Sequence, residues 1–282
     1  MGQQLNPEYL RAASISEALE ALSRGFRILA GGTDLYPSRA ARPLEEALVD
    51  ISAVSELRVI EPIADGWRIG AAATFADLTN ASLPPWFSGL KAAAREVGGL
   101  QIQNFATLAG NVCNASPAAD GTVALLALDA RVIVASRRGM REVALADFVT
   151  GPRRCDLACD EMVLAFDIPQ RSKGARAAFA KLGHRRYLVI SVVMASIMLE
   201  WDETDTITGA WIAVGAMSAR ALRLRSLERD LVGQKNSPAI AALVEARHLE
   251  ALTPLDDIRG TRAYRLEAAL TLLRRMLEGV AP

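Results

Sequence analysis

Three strand-like runs follow one another in the last third of the chain: Ala177 to Leu182, Ile190 to Trp201 and Thr206 to Val214. No helical pattern lies between them, so they pair as antiparallel neighbours; parallel pairing needs a long crossover, usually a helix. Two amphipathic helices are expected next, Pro238 to Leu249 and Arg262 to Leu277. Strands followed by helices describe a separate α+β unit. Earlier residues have another rhythm, short strands mixed with helices. The chain of 282 residues therefore divides into 1–175 and 176–282. A change of texture near residue 55 splits the first part again, at about 1–55 and 56–175.

The first helix is marked by a capping box, Ser14-Ile15-Ser16-Glu17, with Ile15, Ala18, Leu19 and Leu22 on one face and Gly25 as C-cap. Phe26 to Ala30 is a strand that runs into Gly31-Gly32-Thr33-Asp34, and Leu48 to Ile51 is another. Val59 to Ile63 and Trp67 to Ala71 flank Asp65-Gly66, a hairpin signal. Helices are expected at Thr74 to Leu78, Trp86 to Val97 and Val123 to Leu128. Strands are expected at Arg131 to Ser136, Glu142 to Leu145 and Met162 to Ile168. Gln101 to Gly121 shows neither period and is dense in small and polar residues. It is read as a long loop, functional rather than disordered because it holds few charges.

Composition narrows the function. Lys and Arg total 32, as do Asp and Glu, which argues against a nucleic-acid or membrane-surface binder. The longest apolar run, Tyr187 to Leu199, is too short for a spanning helix, so no membrane insertion is expected. Met1-Gly2-Gln3-Gln4 has no basic region ahead of an apolar one, so no signal peptide is expected. Cys113, Cys155 and Cys159 are odd in number and sparse, which suits a reducing cytosol. His184 and His248 are the two histidines, too few for a His-based triad or metal cluster.

Two segments carry the candidate chemistry. In Ile28-Leu29-Ala30-Gly31-Gly32-Thr33-Asp34-Leu35 a strand ends in two glycines whose backbone N–H groups can form a concave nest for an anion such as a pyrophosphate. An ordinary strand-to-helix turn has the same residues, and the Rossmann spacing of glycines is absent. Thr107 to Asp120 offers a second anion-compatible backbone at Gly110, donors at Thr107, Asn111 and Ser116, and an acceptor for sugar hydroxyls at Asp120. The plain alternative is an Asn/Ser-rich loop ending in a helix N-terminus at Pro117. Arg153-Arg154 either reaches a phosphate or is exposed.

A-G-G-T-D-L at Ala30 to Leu35, with Q-I-Q-N-F-A-T-L-A-G-N-V-C-N-A-S-P-A-A-D at Gln101 to Asp120, resembles the flavin subunit of the xanthine dehydrogenase and carbon monoxide dehydrogenase family. Met162 to Pro169, Lys181 to Arg186, Trp211 to Arg220 and Arg259 to Arg265 extend the resemblance over nearly the whole chain. It implies a two-subdomain PCMH-type FAD-binding domain at 1–175 and an α+β C-terminal domain at 176–282. It implies FAD held by Ile28, Leu29, Ala30, Gly31, Gly32, Thr33, Asp34, Leu35, Thr107, Leu108, Ala109, Gly110, Asn111, Ser116, Asp120, Val163 and Lys181, with no catalytic residue and no metal on this chain. Lys181 corresponds to a flavin-contacting lysine; its plain reading is a surface lysine at a strand end. Molybdopterin and [2Fe-2S] clusters are implied on a large and a small partner subunit. Electrons would pass from the clusters through FAD to NAD, oxygen or another acceptor, in the cytoplasm. A self-sufficient flavin oxidase and a flavin-free assembly subunit are the alternatives. Two positions depart from the family pattern: Ala109 stands where a glycine is usual, which is tolerable only at negative φ, and Tyr187-Leu188-Val189 lacks an acid.

Overall fold

A computed structural model describes residues 8–39 and 44–280. The segment read for a signal peptide, Met1 to Gln4, lies outside them. The first unit contains β1 (Tyr9–Arg11), α1 (Ile15–Ser23), β2 (Arg27–Leu29), α2 (Leu35–Arg39) and β3 (Leu48–Asp50). β1 and β2 both pair in parallel with β3, giving the order β1-β3-β2. The Ser14 hydroxyl caps α1 by accepting from the Glu17 N–H at 3.2 Å. The Glu17 carboxylate accepts from the Ala13 N–H at 2.7 Å, one residue earlier than a standard box requires. Ala18, Ala21 and Leu22 of α1 share a core with Val49, Ile51 and Met162. β1 and α2, three and five residues long, are too short to show a period and were not expected.

The second unit begins with the hairpin β4 (Ile60–Ile63) and β5 (Gly66–Gly70). Five helices follow: α3 (Phe75–Asn80), α4 (Ser88–Glu96), α5 (Leu100–Phe105), α6 (Leu108–Cys113) and α7 (Asp120–Ala127). Next come β6 (Arg131–Ser136), β7 (Gly139–Ala144), α8 (Leu145–Phe148), the small hairpin β8 (Val149–Gly151) and β9 (Arg154–Cys155), and finally β10 (Met162–Pro169). The main sheet is antiparallel in the order β4-β5-β10-β6-β7. Residues 101–121, expected as a long loop, are largely helical. Two helices of six residues each, α5 and α6, and the start of α7 occupy this stretch. Elements under two turns cannot display a 3.6-residue apolar period, and here caps and tertiary contacts hold them instead.

The third unit is a sheet β11 (Arg176–Leu182), β12 (Val193–Trp201), β13 (Ile207–Gly215) and β14 (Leu222–Arg223), antiparallel throughout, followed by α9 (Arg225–Leu231) and α10 (Arg262–Val280). Both faces of this sheet are buried. Met194, Met198 and Ala213 point into the core shared with Leu90, Val123 and Phe166. Their neighbours Val193, Ala195, Ile197, Ile212 and Val214 face Leu227, Leu273 and Leu277 of α9 and α10. Two buried faces explain why β12 reads as an unbroken apolar run rather than an alternation. The helix expected at Pro238 to Leu249 is instead two 3₁₀ turns, Pro238–Leu243 and Ala246–Leu249. They are separated where the Glu245 backbone becomes extended and its N–H donates to His248 Nδ1 at 3.0 Å. Among the described residues no helix is long and apolar enough to cross a membrane.

Candidate functional site

β2 delivers the first glycine segment directly against the second unit. A Cβ placed on Gly31 would lie 1.9 Å from the Phe105 carbonyl oxygen, so only glycine allows this backbone-to-backbone approach. Gly32 follows at φ +67°, a left-handed conformation that costs glycine little. Among the described residues, the backbone N–H groups of Gly31, Gly32, Thr33 and Asp34 donate to no protein acceptor. Consecutive bare donors in a turn that passes through a left-handed glycine are what a concave anion nest requires.

The second segment is pinned from behind. The Phe75 N–H donates to the Ala106 carbonyl at 3.1 Å and the Leu108 N–H to the Ala73 carbonyl at 3.0 Å. Thr107 caps α6, its hydroxyl accepting from the Gly110 N–H at 3.0 Å. Ala109 lies inside α6 with negative φ and a buried methyl group. The glycine-to-alanine departure therefore meets its condition and strains nothing. Gly110 faces outward; a Cβ there would meet only the Thr107 hydroxyl. The Asn111 Oδ1 is buried without a hydrogen-bond partner. The Ser116 hydroxyl accepts from the Ala118 N–H at 3.3 Å, a local turn contact.

The β8–β9 hairpin ties the two segments together, which the sequence did not reveal. Arg153, at its turn, donates from Nη1 to the Asp34 carboxylate at 3.0 Å and to the Asn114 backbone carbonyl at 3.3 Å. The Asn114 side-chain oxygen accepts from the same nitrogen. Cys155 Sγ lies 3.7 Å from the Cys113 carbonyl oxygen, and a hydrogen bond between the two free thiols, with burial, pushes the Cys113 thiol up.

β11 brings a cation to the start of α7. Lys181 Nζ lies 3.3 Å from the Asp120 carboxylate, 3.1 Å from the Glu96 carbonyl and 3.7 Å from the Glu96 carboxylate. Its side chain is 6% exposed, so it is not a surface lysine. Burial pushes Asp120 up to about 6, against the opposing pull of Lys181. Lys181, Glu96, Phe179, Gly183, Arg186 and Val189 line a cavity of about 550 Å³. Between the lining residues Arg186 and Val189, Tyr187 and Leu188 are exposed, with Leu188 at φ +52° and its carbonyl accepting from Arg185. Val163 is apart from these groups: its side chain is buried in the core, on β10 opposite Val134.

A family model described as FAD binding domain in molybdopterin dehydrogenase matches residues 3–171, and one described as CO dehydrogenase flavoprotein C-terminal domain matches residues 178–280. The chain belongs to this family of FAD-binding subunits. It is an oxidoreductase subunit of the molybdenum hydroxylase kind. The glyceraldehyde dehydrogenase medium chain of Sulfolobus acidocaldarius is 30% identical over 279 residues, covering 97% of this chain and 98% of that protein. The xanthine dehydrogenase FAD-binding subunit of Escherichia coli O157:H7 is 31% identical over 283 residues, covering 97% and 96%. Among solved structures, quinoline 2-oxidoreductase from Pseudomonas putida 86 superimposes with a TM-score of 0.87 at 28% identity, covering 98% of this chain and 96% of the other. Against this FAD subunit, carbon monoxide dehydrogenase from Hydrogenophaga pseudoflava gives 0.85 at 25% identity, covering 98% and 97%.

Proposed function

We propose that FAD lies with its pyrophosphate on the two glycine segments, and that this subunit passes electrons between partner iron–sulfur clusters and a final acceptor. The observation that carries the reading is the convergence of two segments distant in sequence, Gly31 against Phe105, with four consecutive backbone donors, Gly31 to Asp34, that have no acceptor among the described residues. Those donors fit a dinucleotide pyrophosphate, and the unpartnered Asn111 oxygen fits a ribose hydroxyl. When bound, FAD supplies the redox chemistry and the protein supplies placement and electrostatics.

In this reading Gly31 to Asp34 donate to phosphate oxygens, Thr107 keeps the α6 backbone in position, and Ile28 to Ala30 and Leu35 fix the segment's entry and exit. Lys181 lines the cavity and forms a buried ion pair with Asp120, so the Lys181 charge is partly offset rather than free. Val163 contributes through the sheet that supports the site. Residues 1–175 form the FAD-binding part, divided near residue 55, and 176–282 cover it. The partners are a large molybdopterin subunit and a small iron–sulfur subunit in the cytoplasm; NAD, oxygen or another compound accepts the electrons.

The test is direct. The purified full chain is expected to bind FAD in equimolar amount, seen in its absorption spectrum, and to hold neither iron nor molybdenum. Co-expression with its neighbours is expected to bring down an iron- and molybdenum-containing complex. A full chain that takes up no FAD from a saturating solution would make it a flavin-free assembly subunit.

A further inference from the structure

The two glycine segments carry no cation of their own. Residues 28–35 and 107–120 contain no Lys or Arg, yet each holds an acid, Asp34 and Asp120. A pyrophosphate brings more negative charge, and backbone N–H groups answer it only with partial charges. Asp120 is matched by Lys181 at 3.3 Å and Asp34 by Arg153 at 3.0 Å.

Arg153 differs from an ordinary surface partner in three respects. It touches both segments at once, although it lies 119 residues from Asp34 along the chain. Its backbone is left-handed, φ +58°, and its N–H donates at 3.0 Å to the carbonyl of Ala115, itself at φ +46°. Such conformations persist in non-glycine residues only where surrounding contacts impose them, and they cluster at functional sites. Finally, every side-chain hydrogen bond it makes leaves from Nη1. The Nε and Nη2 donors have no acceptor among the described residues, and the side chain is 61% exposed. A guanidinium can hold a protein acceptor on one nitrogen and grip a phosphate oxygen with the others, which a lysine cannot.

We propose that Arg153 is a binding residue for the FAD pyrophosphate, a cation supplied by the β8–β9 hairpin that draws the two glycine segments together over the anion. The proposal rests on the FAD reading above. A purely structural Arg153 would fasten the hairpin and add no charge to the site.

The experiment uses the full chain, stripped of FAD and titrated with it at low and high salt, following flavin fluorescence. ADP, which carries a pyrophosphate without the flavin ring, serves as a competitor. Arg153→Gln is expected to weaken FAD binding about 10- to 100-fold, as loss of a charge-assisted hydrogen bond does. ADP competition should weaken alongside it. The salt dependence of binding should flatten, because a screened charge–charge attraction has gone. The thermal midpoint of the FAD-free chain should stay where it is, and Arg153→Lys should regain part of both affinity and salt dependence. Unchanged affinity and salt dependence in Arg153→Gln, beside a wild type that binds FAD, overturns this inference alone. Weaker binding with an unaltered salt dependence and a lowered midpoint also overturns it, in favour of the structural role. A wild type that binds no FAD overturns the functional reading itself.

Discussion

Asp120 offers a quantitative test of the site's electrostatics. Burial lifts its carboxyl from an ordinary 3.8 to about 6 even with Lys181 beside it. Between those values the folded chain binds more protons than the unfolded one, so stability falls as pH rises through the window. Keeping the carboxylate ionised in the fold costs on the order of 3 kcal/mol above the upper value. Integrated from about pH 4.5 to 7.5, the loss is about 2 kcal/mol. Asp120→Asn removes the ionisation but keeps an oxygen that accepts from Lys181, which also retains the Glu96 carboxylate at 3.7 Å. The assay is urea unfolding of the full chain, wild type and variant side by side, at several pH values. Other carboxyls complicate the wild-type curve: Glu161, held down to about 2 chiefly by its Arg141 bond, acts in the opposite sense. The difference between the two proteins cancels them. The variant's relative stability is expected to improve by about 2 kcal/mol on going from pH 4.5 to 7.5. Parallel curves would refute the argument and mean that Asp120 stays close to its ordinary value.

Lys181→Met should do the reverse at neutral pH. It strands Asp120 without its ion-pair partner, at a cost of roughly 3 kcal/mol or more in urea unfolding, and a near-neutral result would show that the pair is not buried in solution. Gly31→Ala puts a Cβ 1.9 Å from the Phe105 carbonyl oxygen, so the two segments must separate; FAD content of the purified chain should drop sharply, and normal content would mean that they do not meet. Ala109→Gly should leave the FAD dissociation constant within about twofold while costing about 1 kcal/mol of stability for a glycine inside a helix. A clear gain in FAD affinity would show that the alanine had been strained.

The sequence by itself determined the parts that depend on neighbouring residues. The Ser14 cap, the Asp65-Gly66 turn and the succession β11–β13 follow from local rules, and the elements formed where those rules place them. The two glycine segments were legible for the same reason: a glycine pair after a strand and a run of small polar residues announce bare backbone wherever they fold. Tertiary structure decided the rest, because it sets which distant residues meet. No pattern within 101–121 shows that α5 and α6 are helical; contacts from Ala73, Phe75 and the Thr107 cap hold them. Lys181 looks like a surface residue at a strand end until α4 and α7 close over it. Then burial, not sequence, pushes the Asp120 carboxyl up. Arg153 is one of two arginines in an unremarkable turn. Only the folding of its hairpin brings it against Asp34 and Asn114, since a charge acts across space and not along the chain.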